Sequence, residues 1–224
     1  MQGYAAEAVK AINEKTNELL LKYDNCGKNP AIDPSVNIMK IANGCGVKDV
    51  IYVPSEQLKG KHADYKDGVV RIDENDAEGQ RQFDLAHEVG HIVFNHFTSI
   101  EYKISRPGGG MPLVVASVDY EAARHGTRKK SELPPGEREI EDFFDRFAAN
   151  LLIPINRFQL WEDKTDKEIA DAFKVEESCI KKRRQEVEYE INILTAEMKP
   201  CPIEAVINPD VKLDIDTMLG EINS

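Results

Sequence analysis

No apolar run in this 224-residue chain approaches the roughly 20 residues needed to cross a bilayer. Short runs, such as Leu151-Leu152-Ile153, suit a buried core and exclude a membrane-spanning segment. The stretch Met1 to Lys10 carries two charges and no apolar centre, unlike a secretory signal. Cysteine is sparse: Cys26, Cys45, Cys179 and Cys201 are widely spaced and form no C-x-x-C pair. At this size the pattern argues against a disulfide framework and for reduced thiols in a cytoplasmic protein. Positive charge is also in deficit. A net charge of -11 argues against broad nucleic-acid binding, which depends on neutralising phosphates. One local exception, Lys181-Lys182-Arg183-Arg184, reads either as a solvated helix face or as a docking patch for an acidic partner or DNA. Internal repeats and low-complexity segments are lacking too.

What is present suits one substantial core, or one domain with a small appendage. Ala5, Ala8, Val9, Ile12, Leu19, Leu20 and Tyr23 fall at helical spacing and predict an amphipathic helix over residues 4 to 23. A second helix is expected from Asp33-Pro34-Ser35 to Asn43-Gly44, with proline in its first turn. Val50 to Val53 reads as a short buried strand. Tyr65 and Val69-Val70-Arg71-Ile72 flank Asp67-Gly68, a two-residue hairpin signal. Asp73 to Gly79 supplies N-cap candidates for a largely buried helix over about 78–97. Residues 98–135 are hardest to read, with a Gly-rich loop at 106–112 and, from Leu113 to Val118, either a strand or a helix start. Helices are then expected near 137–152, 155–162, 165–173 and 176–195, the first ended by Pro154.

The predicted helix over 78–97 contains His87-Glu88-Val89-Gly90-His91. Four residues apart on a helix, the two histidines project from one face about 5–6 Å apart at Cβ. They can take adjacent corners of a tetrahedral Zn²⁺ site, with Glu88 placed as general base toward an activated water. With 5 His and 23 Glu, shuffling this composition yields H-E-x-x-H roughly once in a hundred chains, so the surroundings must decide. Gly90 costs such a helix about 1 kcal/mol against Ala. Its missing side chain suggests close approach of a neighbouring backbone near the metal.

A catalytic zinc usually takes three protein ligands. The metzincin pattern H-E-x-x-H-x-x-G-x-x-H fails, because Phe94 and Phe97 stand where glycine and histidine are required and His96 comes one residue early. His96 suits a helix end, and His62 and His125 look isolated in loops. The alternative is a carboxylate from a second helix, as in thermolysin-like zincins, and Glu141 is the best placed. Glu141, Phe144, Asp145, Ala148, Leu151 and Leu152 form one helical stripe, apolar except for its two acids. Burying both acids unpaired would be costly, and a cation with imidazole ligands removes that cost. Asp145 would then accept the free N–H of a ligand histidine. The competing reading pairs these acids with Arg146, Arg138 or Arg81. Glu139, Glu137 and Glu121 are fallback ligands, and Mn²⁺ or Fe²⁺ also suits a His₂Glu set.

Arg81 to His91 resembles the R-x-F-x-x-A-H-E-x-G-H core of the ImmA/IrrE metallopeptidase family. Phe147-Ala148-Ala149-Asn150-Leu151-Leu152-Ile153-Pro154 resembles its F-A-A-x-L-L-x-P block, and Glu141-x-x-x-Asp145 resembles its zinc-ligand glutamate with an acid or amide one turn on. His96 sits where the family often carries a histidine, and Gly68 to Asp73 is similar to its edge strand. Lys167-Glu168-Ile169-Ala170-x-x-Phe173-x-Val175-x-x-Ser178 is similar to the helix-turn-helix-like segment that follows the core in many members. The departures are a long gap between His91 and Glu141, and Phe143-Phe144 where small residues are usual.

The resemblance implies an α+β fold: a zincin-like peptidase core with a small sheet on the motif helix, then a mostly helical C-terminal region. Residues 1–160 would form the peptidase domain with an insertion at about 98–135, residues 161–198 the helix-turn-helix-like segment, and 199–224 an unassigned tail. His87, His91 and Glu141 would bind Zn²⁺, Glu88 would be the catalytic base, and Asp145 would support a ligand imidazole. Tyr120, Arg124 and His125 stay open as oxyanion donors. The implied substrate is a cytosolic DNA-binding repressor, cleaved in an anti-repressor role. The competing class is a non-catalytic zinc-containing module that controls a transcription factor by docking. Glu88 discriminates between them, since a purely structural site needs no acid beside its first ligand.

Overall fold

Two of the helical elements are fixed by side-chain caps and the sheet by one turn. The computed structural model describes residues 6–24, 29–95, 103–104, 113–114 and 135–196. Helix α1 (Ala6–Leu19) runs into a π-helical turn at Leu20–Asp24. Helix α2 (Ile38–Gly44) starts later than the Asp33-Pro34-Ser35 signal suggests. The Asp33 carboxylate accepts hydrogen bonds from the backbone and hydroxyl of Ser35, and Asp24 accepts one from the Asn37 backbone. These bonds hold the segment out of helix, and Asn37 becomes the N-cap by accepting from the Lys40 backbone N–H at 3.0 Å.

Strand β1 (Asp49–Val53), the one-turn helix α3 (Ser55–Leu58), and strands β2 (Ala63–Lys66) and β3 (Val69–Asp73) follow. Asp67 and Gly68 both have positive φ, 53° and 91°, as a type I′ hairpin turn requires. The sheet order is β1-β3-β2, with β1 parallel and β2 antiparallel to β3. Two expectations are corrected here. The Gly68–Asp73 segment forms the central strand, not an edge, and β1 and β2 are the edges. Nor is β1 buried: Ile51 and Tyr52 are exposed and only Val53 is fully inside. A four-residue apolar run does not by itself distinguish a central strand from an edge.

Helix α4 (Glu78–Asn95) packs on the sheet, on α2 and above all on α5 (Pro135–Leu152). Short strands β4 (Lys103–Ile104) and β5 (Leu113–Val114) pair antiparallel. The Gly-rich loop at 106–112, residues 115–118 of the expected strand or helix, and the tail from 197 lie outside the described residues. After Pro154 come α6 (Ile155–Phe158), a 3-10 turn at Gln159–Trp161, α7 (Asp166–Phe173) and α8 (Glu177–Ala196). A capping box starts α7: Thr165 and Glu168 satisfy each other's backbone N–H. Lys174 in the left-handed conformation ends it and turns the chain into α8.

Most of the buried apolar residues form one cluster from Ile12 through Val70, Val89 and Phe147 to Val187. The arrangement is mixed, with a small three-stranded sheet and a helical C-terminal part, compatible with α+β. Among the described residues no helix is long and apolar enough to cross a membrane.

The basic run does not form a uniform face. Lys181 and Lys182 are exposed, but Arg183 is fully buried. It donates to the Ile153 carbonyl at 3.0 Å, to Glu190 at 2.9 Å and to Asn150 at 3.0 Å. Arg184 is half-buried, pairs with Asp166 and donates to the carbonyls of Glu162 and Lys164. Neither a wholly solvated face nor a four-residue docking patch describes this run, because Arg183 is used against the end of α5 and Arg184 against the start of α7.

Candidate metal centre

The α4–α5 contact brings His87, His91, Glu141 and Asp145 together. Nε2 of His87 and Nε2 of His91 are 3.0 Å apart. Glu141, arriving from α5, places Oε2 3.2 Å from the first and Oε1 3.8 Å from the second. Three atoms about 2.05 Å from a tetrahedral Zn²⁺ stand roughly 3.3 Å from one another, so this triangle has the right size. Glu88 is buried, and a carboxylate oxygen of it lies within 4.8 Å of the two imidazoles. Two carboxylates therefore border the pair. Glu141 faces both Nε2 atoms across the helix interface, whereas Glu88 shares their helix, so Glu141 is the better third donor and Glu88 the better neighbour.

The supporting contacts define tautomer and orientation. His87 Nδ1 is 2.9 Å from Asp145 Oδ1, and a carboxylate can only accept, so Nδ1 carries the proton. In the neutral ring that leaves the Nε2 lone pair facing Glu141 and His91, as a cation ligand requires. Burial by itself would lower the pKa of His87. The hydrogen bonds of Asp145 and Glu141, with the charges of Asp145 and Glu88, override it and raise the group to about 10. The same surplus of negative charge that draws a proton onto this imidazole favours a divalent cation between the two rings. The donor set fits Zn²⁺ in number, type and spacing.

The approach of α5 depends on Gly90. A Cβ at that position would lie 2.8 Å from the Phe147 ring and 3.0 Å from the Phe144 ring. What comes close is therefore a pair of aromatic side chains, not the backbone expected from sequence. The two rings fill the space and carry α5 against the motif helix. Phe144 then lies over His91 with ring centroids 4.0 Å apart, which gives the unusual Phe143-Phe144 pair a physical role at the site floor. Of the arginines proposed as rivals for the acids, Arg146 reaches Glu190 on α8 at 3.2 Å, and Arg81 donates to the Glu74 carbonyl.

Arg138, Glu137, Glu139, Glu121, His96, Tyr120, Arg124 and His125 all lie outside the described side chains. His62 is not isolated: it pairs with Asp76 and sits close to Asp84 of α4. Sequence reading missed that grouping. Its one available signal was an acid, Asp84, between Phe83 and Leu85 on a helix otherwise read as buried.

Two histidines and a carboxylate converging from two helices, with a second acid beside the first histidine, form a donor set of the metallohydrolase type. Residues 46–107 match the family model Peptidase_M78, the IrrE N-terminal-like domain. The match supports an ImmA/IrrE-like family and a metallopeptidase-type function. It spans β1 to β4, including His87, Glu88 and His91, while Glu141 and Asp145 join through the geometry of α5. No curated protein matches the chain.

Proposed function

We propose that the chain is a zinc-dependent metalloendopeptidase with a zincin-like core, hydrolysing a peptide bond in a cytosolic regulatory protein. The leading substrate class is a helix-turn-helix transcriptional repressor, which would make the chain an anti-repressor. The observation that carries the reading is the convergence of His87 Nε2, His91 Nε2 and the Glu141 carboxylate within 3.0–3.8 Å, with Glu88 alongside. His87, His91 and Glu141 would hold Zn²⁺. When bound, the cation polarises a substrate carbonyl and lowers the pKa of a water.

The chain's own residues do the rest. Glu88 takes a proton from the attacking water and returns it to the leaving amine. Asp145 holds the Nδ1 proton of His87, so the ring cannot turn its lone pair away from the site. Phe144 over His91 keeps bulk water from the inner side of the pair.

A second reading, a non-catalytic module that docks on a transcription factor, is favoured by one feature: α7 turns into α8 through Lys174 within the segment whose sequence resembles a helix-turn-helix. Co-expression of the parent and of Glu88→Gln with candidate repressors, followed by mass spectrometry of new protein termini, separates the two. New termini that arise with the parent and vanish with Glu88→Gln, at equal zinc content, support the peptidase. The same termini with both proteins overturn the mechanism, and no new termini with either leaves docking as the better reading.

A further inference from the structure

A second group of donors lies beside the sheet. His62 precedes β2, Asp76 lies in the turn after β3, and Asp84 is on α4, one turn before His87. Each offers one donor atom, and the three atoms lie within 4.8 Å of one another. His62 Nδ1 is 3.0 Å and 3.2 Å from the two oxygens of Asp76. An imidazole–carboxylate pair at an exposed position needs no further explanation. Asp84 does.

Asp84 is only 7% exposed. Its Oδ1 accepts from the Gln80 side-chain amide at 2.7 Å, while its buried Oδ2 has no hydrogen-bond partner. A buried carboxylate oxygen left without a partner costs on the order of 1–3 kcal/mol, more when charged. Burial raises the group to about 6, with the Gln80 hydrogen bond and the charge of His62 opposing. Near neutral pH the chain therefore keeps an ionised, incompletely satisfied carboxylate facing a second carboxylate and an imidazole. A cation held between the three residues would give this carboxylate the opposite charge that Gln80 does not supply.

We propose that His62, Asp76 and Asp84 form a second divalent-cation site, distinct from the His87/His91 centre. Two carboxylates and one neutral imidazole cancel a double positive charge. The mixed nitrogen and oxygen donors suit Zn²⁺ or Mn²⁺ better than Mg²⁺ or Ca²⁺, which take oxygen-only shells. His62 is the open side, with two thirds of its side chain exposed, so the cation enters from solvent and water completes its shell. Once bound, it joins the β2 start, the β3–α4 turn and the first half of α4. This site binds more weakly than the first, because it offers one imidazole where the other offers two.

Isothermal titration calorimetry of the full chain with Zn²⁺ alone tests this, supported by Mn²⁺ titration followed by electron paramagnetic resonance. Two classes of site are expected in the parent. His62→Asn, at an exposed position where folding is not at stake, and Asp84→Asn should each weaken only the second class by more than about 100-fold, beyond the effect of losing a supporting hydrogen bond. Glu141→Ala should weaken only the first class. A single class in the parent up to millimolar Zn²⁺ overturns the proposal. So does a second class that persists unchanged in both His62→Asn and Asp84→Asn.

Discussion

Helix α5 buries polar groups on two faces, and the two clusters are built on opposite principles. Toward α8 its own Asn150 meets Arg183 and Glu190: Arg183 donates to Glu190, Asn150 and a carbonyl, and Asn150 donates to Glu190 at 3.1 Å. Arg146 adds a second cation 3.2 Å from Glu190, and the buried Glu186, 3.9 Å from Arg183, balances it. Toward α4 it meets two imidazoles with Glu141, Asp145 and Glu88, a group with acids in surplus. A buried cluster whose charges close on themselves holds elements together. One that does not close has room for something from outside. Position in the fold does not separate these cases, since both lie on one helix; charge balance does.

The largest effect should come from breaking the closed cluster. Arg183→Met leaves Glu190 buried beside a single remaining cation, and breaking a buried pair costs about 3–5 kcal/mol. Urea denaturation with and without chelator should show the same loss in both conditions. A loss seen only with metal present would mean that the two faces of α5 are coupled, and the contrast would fail.

The open cluster should behave the other way round. A cation at about 1,000 times its Kd stabilises the folded chain by about 4 kcal/mol, so the parent should lose that much on chelation. Glu141→Gln should lose most of this dependence on metal. Without metal it should differ from the parent by no more than about 1 kcal/mol, since an imidazole–carboxylate contact at a partly exposed position contributes little. Thermal melts of both proteins with and without Zn²⁺ measure the four states directly.

The smallest effect tests how closely the helices must approach. Gly90→Ala gains about 1 kcal/mol in helix propensity but forces the Phe144 and Phe147 rings aside, at about 1–3 kcal/mol. A modest net destabilisation is expected, with zinc affinity falling as Phe144 shifts against His91. An alanine variant that is more stable than the parent and binds zinc unchanged would show that the rings have room to move.

Much of this was legible in the sequence, for identifiable reasons. Helical spacing set by His87-x-x-x-His91 and Glu141-x-x-x-Asp145 fixes which side chains share a face, and the structure brings those faces together. Asp67-Gly68 declared the hairpin because few other pairs accept two positive φ angles. What was not legible depends on partners distant in sequence. Val50 to Val53 gives no sign that β1 pairs on one side only, and Arg183 looks like surface until Glu190 and Asn150 are folded around it. The His62/Asp76/Asp84 group draws on three segments, none of which carries a motif.

Having donors on two helices also sets what the intervening chain must do. His87 and His91 stand on α4 and Glu141 on α5, with residues 96–134 between the helices. The ends of that connection are held by the α4–α5 packing and, with a cation bound, by its ligands. The entropy of closing a chain segment grows only with the logarithm of its length, so doubling it costs about 0.6 kcal/mol. The linkage from one helix to the other thus acts as a clamp that is nearly indifferent to how much chain it encloses. A long segment can be inserted, lengthened or exchanged there while the distance from His87 to Glu141 stays fixed by the helices alone.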